Sequence, residues 1–300
     1  MVKVYIEKDG APELPMSLVF WPNFRFEISP KRLFLRSIME QYQTPIFTVV
    51  ATPEEADFFT VPFEFFDVSD RHFVYLANVY AAAKAAGKKV LLFDYTDYVD
   101  RTLKIPSHAI LFRVSTYRHH KKENEIIMPY FVEDMGARHG ITPKEKCDSL
   151  VVGYCGQSQF GGVVRKWRAS LKWLLSYLLR CARRDTEPLA HRRGIFWRAR
   201  ARRFYEALSA SRGPLLIDTD SVLPLEEIVA YDDVVLRVPS REIKTLPARV
   251  RWWSEKQTAD SFFESERRAR EVYERFLRLD RYFEIVFDRE RSPYKEVLFQ

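Results

Sequence analysis

The stretch that decides the fold runs from Phe58-Phe-Thr-Val-Pro62 through Asp70–Ala86 and Gly87 to Val90-Leu-Leu-Phe-Asp94. It opens and closes on uncharged apolar runs of strand length. Between them Phe73, Leu76, Ala77 and Tyr80 keep the i, i+3, i+4, i+7 spacing of a helix. Gly87 supplies the residue that ends a helix most easily. A strand, a helix and a second strand with no polar alternation predict parallel strands buried on both faces.

The same rhythm extends outward. Val2–Glu7 alternates like a strand, and Ile46–Val50 and Ile110–Val114 are further strand-like runs. Ser17–Trp21 is a short apolar run. Pro30–Tyr42 has helical spacing after a Ser-Pro start. In the second half, Leu150–Cys155, Pro214–Asp218 and Val234–Val238 read as strands. Val163–Cys181, Phe204–Ser209, Leu223–Ala230 and Thr258–Phe287 read as helices, the last broken near Asp280. The expected fold class is α/β throughout. The natural boundary is the polar stretch Thr142–Ser149. It divides an N-terminal domain, 1–148, from a second domain, 149–257. Residues 258–288 form a C-terminal helix that would pack back on the first domain. Glu296-Val-Leu-Phe-Gln300 reads as the remnant of a cleavable tag.

Composition narrows the class. The chain has 300 residues, 47% hydrophobic and 30% charged, which is globular rather than disordered. There is no long uncharged run to span a bilayer, and the N-terminus does not read as a signal peptide. Three cysteines, Cys147, Cys155 and Cys181, give neither a disulfide framework nor a zinc motif. A reduced cytoplasmic setting fits, with action at the inner face of a membrane as an extension of it. Charge is uneven. Residues 1–150 carry 19 Lys and Arg against 20 Asp and Glu, and residues 151–300 carry 29 against 21. The whole excess of +7 lies in the second half, which points to an anionic partner there.

One segment carries a specific resemblance: Arg203-Phe-Tyr-Glu-Ala-Leu-Ser-Ala-Ser-Arg-Gly-Pro-Leu-Leu-Ile-Asp-Thr-Asp-Ser-Val-Leu-Pro-Leu-Glu226. It resembles the C-terminal signature of exostosin-type glycosyltransferases. Val90-Leu-Leu-Phe-Asp-Tyr-Thr-Asp97, Phe112-Arg-Val-Ser-Thr-Tyr-Arg118, Glu125-Ile-Ile-Met-Pro-Tyr130 and Val152-Gly-Tyr-Cys-Gly156 resemble bacterial members in the same order. The resemblance covers residues 55–240. It implies two Rossmann-like domains in the glycosyltransferase B architecture. It also implies inverting transfer of a sugar from a nucleotide-diphosphate sugar to a glycan or glycolipid hydroxyl.

Site residues follow from it. Arg203 would face the diphosphate and Glu206 the ribose or sugar; three apart, they share one helix face. Gly153, Gly156 and Arg193 would belong to donor-side loops, and Asp218 and Asp220 would line the donor cleft. Arg113 and Ser115, at a strand end, would line the cleft from the other side. Asp97 is the expected general base, with Glu64 and His119 as weaker candidates. No metal ligand set is expected at the site. A divalent ion at Asp218-Thr-Asp220 is the lesser reading beside a helix-start cap, and no cofactor is required. His119-His120 reads as an exposed loop.

The family's R-G-x-G-N-x-S loop before the R-F-Y-E helix is absent. Phe196-Trp-Arg-Ala-Arg-Ala-Arg202 stands there, and Ala201 takes the usual Ser position. The alternative function is therefore an inactive relative that binds a glycan or a partner protein. Arg192, Arg193, Arg198, Arg200, Arg202 and Arg203 crowd together with Phe196 and Trp197, but no nucleic-acid module surrounds them, and nucleic acid is not an expected partner. Lys166, Trp167, Lys172 and Trp173 lie on a stretch that would be either a core-facing helix or a peripheral membrane contact.

Overall fold

The computed structural model describes residues 1–24, 38–96, 104–146 and 200–299. Its centre is a six-stranded sheet of β1 (Val2–Ile6), β2 (Phe47–Val50), β3 (Phe58–Glu64), β4 (Val90–Asp94), β5 (Ala109–Arg113) and β6 (Glu125–Ile127). The order is β2-β1-β3-β4-β5-β6, and every neighbouring pair is parallel. Strands β4 and β5 are buried along their whole length, and β3 up to its last residue. This is the continuous apolar pattern that a sheet covered on both faces demands.

Side chains alternate between the two faces. Phe59, Val61, Phe63, Leu92 and Leu111 face helices α1 (Phe65–Arg71) and α2 (Phe73–Ala85), meeting Tyr75, Leu76, Val79 and Ala83. The expected helix over 70–86 is thus two helices. The first begins at Phe65, and the backbone leaves helical geometry at His72 before resuming. The second closes at Ala86, with Gly87 left-handed at φ +65°.

On the other face Phe47, Phe58, Leu91, Phe93, Ile110 and Phe112 meet elements from the second half of the chain. The remaining elements are α3 (Met135–His139), α4 (Arg200–Ser209), β7 (Leu215–Asp218), β8 (Leu236–Pro239), α5 (Leu246–Lys256), α6 (Ala259–Val272), α7 (Leu279–Val286) and α8 (Lys295–Phe299), of which α4, β7, α6, α7 and α8 contribute side chains to this cluster. Between α6 and α7 lies a π turn, Tyr273–Leu277, so the break in the C-terminal helix comes at Arg278. Helix α7 packs on the sheet. The Phe283 ring lies 5.5 Å from those of Phe47 and Phe112 and 6.4 Å from that of Phe93.

In the second half, among the described residues, the sheet structure is one parallel pair, β7 with β8. Leu223–Ala230, expected as a helix, is a series of turns. Leu225 sits at φ +53°, a left-handed conformation that stops a right-handed helix. The segment is held instead by Glu226 accepting from Leu223 N at 3.0 Å and by Tyr231 donating to Pro224 O at 2.8 Å. The C-terminal residues read as a tag remnant are part of the packing up to Phe299. Leu298 is buried, Phe299 lies against Phe58, and Lys89 Nζ donates to Val297 O at 2.6 Å.

Candidate functional site at the carboxyl edge of the sheet

Parallel strands deliver their loops to one edge, and ligands of such folds bind outside the carboxyl ends. Here that edge has a buried ionic layer and an exposed polar rim above it.

The buried layer starts from register. Asp94 and Arg113 end β4 and β5 as directly paired residues. Arg113 Nε donates to Asp94 Oδ2 at 3.0 Å and Nη1 to Glu125 Oε2 at 3.4 Å. Arg113 is only 1% exposed and Asp94 is fully buried. The guanidinium is therefore sealed beneath the edge and does not line an open cleft. Thr96 completes the Asp94 site, donating from N at 2.8 Å and from Oγ1 at 2.6 Å. Burial pushes the Asp94 carboxyl up, against the opposing pull of Arg113.

Glu64, at the end of β3, accepts from Tyr95 N at 2.9 Å through Oε2, while Oε1 is buried. Burial, and then the neighbouring Asp94, pushes its carboxyl up to about 8. Near neutral pH Glu64 therefore holds a proton. Beside it, the hydroxyls of Ser17 and Tyr95 hydrogen-bond to each other. Glu64 is a half-buried, protonated acid at the end of β3.

The rim joins the two halves of the chain. The loop after β5 pairs with the loop after β7: Tyr117 bridges Ser221 antiparallel, Arg118 N donates to Asp220 O at 2.8 Å, and Val222 N donates to Thr116 O at 3.1 Å. Asp220 is left-handed at φ +66°, its N–H held by Asp218 Oδ1 at 2.8 Å. Arg118 reaches Glu226 at 2.8 Å and Asp220 at 3.7 Å. His119 Nδ1 lies 3.2 Å from Asp220 Oδ2, and its ring stacks on Tyr117 with 10° between the planes. The carboxylate accepts only, so the Nδ1–H tautomer donates to it. Ser115 is half-buried two residues before Tyr117. Ser115, Asp218 and Asp220, read separately from sequence, thus stand at one junction.

Arg203 and Glu206 occupy a different element, α4. Glu206 Oε1 accepts from Arg202 Nε at 2.7 Å and Oε2 from Arg203 Nη1. Both carboxylate oxygens are engaged by guanidinium groups of their own helix. The other side of α4 buries Phe204, Tyr205 and Leu208. Asp97, Gly153, Gly156 and Arg193 lie outside the described residues, as do the three cysteines and the Trp- and Lys-bearing stretch of 163–181.

Two features escaped the sequence reading. A charged residue closing each of two apolar strands was visible, but their pairing depends on register. The His119–Asp220 contact spans 101 positions and has no local signal. Among the described residues no group of three or more His, Cys, Asp or Glu could hold a metal ion, and no helix is long and apolar enough to cross a membrane. No protein-family model matches the chain, and no curated protein matches it.

Proposed function

We propose that the protein is an inverting glycosyltransferase of the two-domain B type, moving a sugar from a nucleotide-diphosphate donor to a hydroxyl of a glycan or glycolipid. Residues 149–257 would bind the donor, in the cytoplasm or at the inner face of a membrane. The supporting observation is the rim junction, where the loop after β5 meets Asp218 and Asp220 after β7. In this reading the junction would bring an acceptor-side loop and a donor-side loop together at the carboxyl edge.

The base in this reading is His119, oriented by Asp220; Asp97, outside the described residues, and the half-buried Glu64 are the alternatives. The acceptor hydroxyl gives its proton to His119 Nε2 as its oxygen bonds to the anomeric carbon. The bond from that carbon to the phosphate oxygen breaks, and its electron pair leaves on the nucleotide diphosphate. The guanidinium of Arg203, and that of Arg193 on the preceding segment, would meet the charge of the diphosphate. Transfer assays over a panel of donors test this. His119→Ala should lower kcat by about 10²–10⁴-fold, with donor binding retained. Unchanged turnover would remove His119 from the reaction.

A second reading has its own observation. The Glu206 carboxylate is already satisfied by Arg202 and Arg203, and the R-G-x-G-N-x-S loop is missing from the sequence. A glycan- or partner-binding module without turnover would bind its ligand in the complete absence of nucleotide affinity.

A further inference from the structure

Helix α5, Leu246–Lys256, has no buried residue along its 11 positions. Among the described residues, its Trp253 ring lies 6.1 Å from that of Phe262 on α6. Trp252 on this helix is 56% exposed, and Ile243 is exposed just before it. Large apolar side chains so far out of the core ask for a covering surface.

The charge around them says what kind. From residue 240 to 256 the basic side chains are Arg241, Lys244, Arg249, Arg251 and Lys256, against Glu242 and Glu255. The ammonium of Lys256 sits 4.0 Å from the centre of the Trp252 ring. An indole and a cation held together at one level match the boundary of a bilayer, where the ring meets the acyl chains and the ammonium the phosphates. A strand of nucleic acid would instead use several outward rings in succession, and α5 turns out one. A spanning role has no support, because among the described residues no helix is long and apolar enough to cross a membrane.

We infer that α5 and the residues flanking it form a docking surface for an anionic lipid bilayer, with Trp252 as the inserted anchor and Arg241, Lys244, Arg251 and Lys256 contacting headgroups. The inference is independent of sugar transfer. It would hold for a transferase working on lipid-borne acceptors and for a module without activity.

The test is co-sedimentation of the full-length chain with phosphatidylcholine vesicles, with and without about a third phosphatidylglycerol. Binding should require the anionic lipid and weaken as salt rises. Arg251→Glu/Lys256→Glu should lose binding tenfold or more, and Trp252→Ala several-fold. Both sets of side chains are exposed, so unchanged thermal melts serve as the folding control. Three results would overturn the inference: equal binding to neutral vesicles, variants that bind as tightly as the parent chain, or release of the vesicles by a competing single-stranded oligonucleotide. Retention in the variants would assign any lipid contact to another segment.

Discussion

The Arg113 guanidinium lies 3.0 Å from the Asp94 carboxylate, sealed between the ends of two paired parallel strands. On its other side Glu125 stands at 3.4 Å. One cation thus satisfies two carboxylates where water has no access. Arg113→Met removes the cation and leaves both acids buried and unpaired. The expected loss is about 3–5 kcal/mol of stability, since breaking a buried pair from one side costs far more than the pair contributes. Denaturant unfolding measures it; a loss under about 1 kcal/mol would mean that the layer is open to water.

Glu64 predicts a pH dependence with a definite sign. Its carboxyl is pushed up to about 8 by burial and by Asp94, whereas an unfolded chain releases the proton near its ordinary value of about 4.3. Between those values the folded state binds the proton and the unfolded state does not. Stability therefore falls as pH rises through that window, and the loss is complete above about 8. Glu64→Gln keeps an uncharged side chain of the same shape. Its melting temperature should decline less between about pH 6 and pH 9, and at pH 9 it should be the more stable protein by about 1 kcal/mol or more. Parallel pH curves for the two proteins would contradict the assignment.

The C-terminal helix is bound to the sheet by one aromatic contact set. Phe283 touches Phe47, Phe93 and Phe112, and Phe287 joins it from the next turn. Phe283→Ala should cost about 3–5 kcal/mol. Because α7 and the sheet share this core, unfolding followed at a first-half probe and at a C-terminal probe should move together. Separate transitions would show that the two halves fold independently.

Gly136 marks a second junction. A Cβ there would lie 2.5 Å from Arg270 Nη1 and from Ser209 O. Arg270 is the residue that joins α6 to Asp134 at the start of α3 and to Ser209 at the end of α4. Gly136→Ala should destabilise by about 1–3 kcal/mol. Combined with Arg270→Ala it should add less than the sum of the two single effects, because both changes break the same contact. Full additivity would separate the two sites.

The first half of the fold was legible because strands β3, β4 and β5 are buried on both sides, so their apolar runs need no alternation to be seen. The break at His72 was not, since Phe65, Phe66 and Val68 continue an apolar pattern across it. Strand β6 is three residues long and opens with Glu125, which hides it from a periodicity argument. The turns at Leu223–Ala230 were mistaken for a helix because a left-handed Leu225 has no sequence mark. The same limit applies to the site. Ser115, Asp218 and Asp220 were found individually by position at strand ends. That Asp220 meets His119, and that Arg113 turns inward to Asp94 and Glu125, follows only from chain crossings that bring distant segments together.

Calorimetric titration of the full chain with UDP, GDP and their common sugar conjugates asks whether the fold binds the donor of the proposed reaction. Saturable binding of one nucleotide is expected, lost in Glu206→Ala and retained in His119→Ala. A folded protein that binds none of them, or binds one with equal affinity after Glu206→Ala, would contradict it.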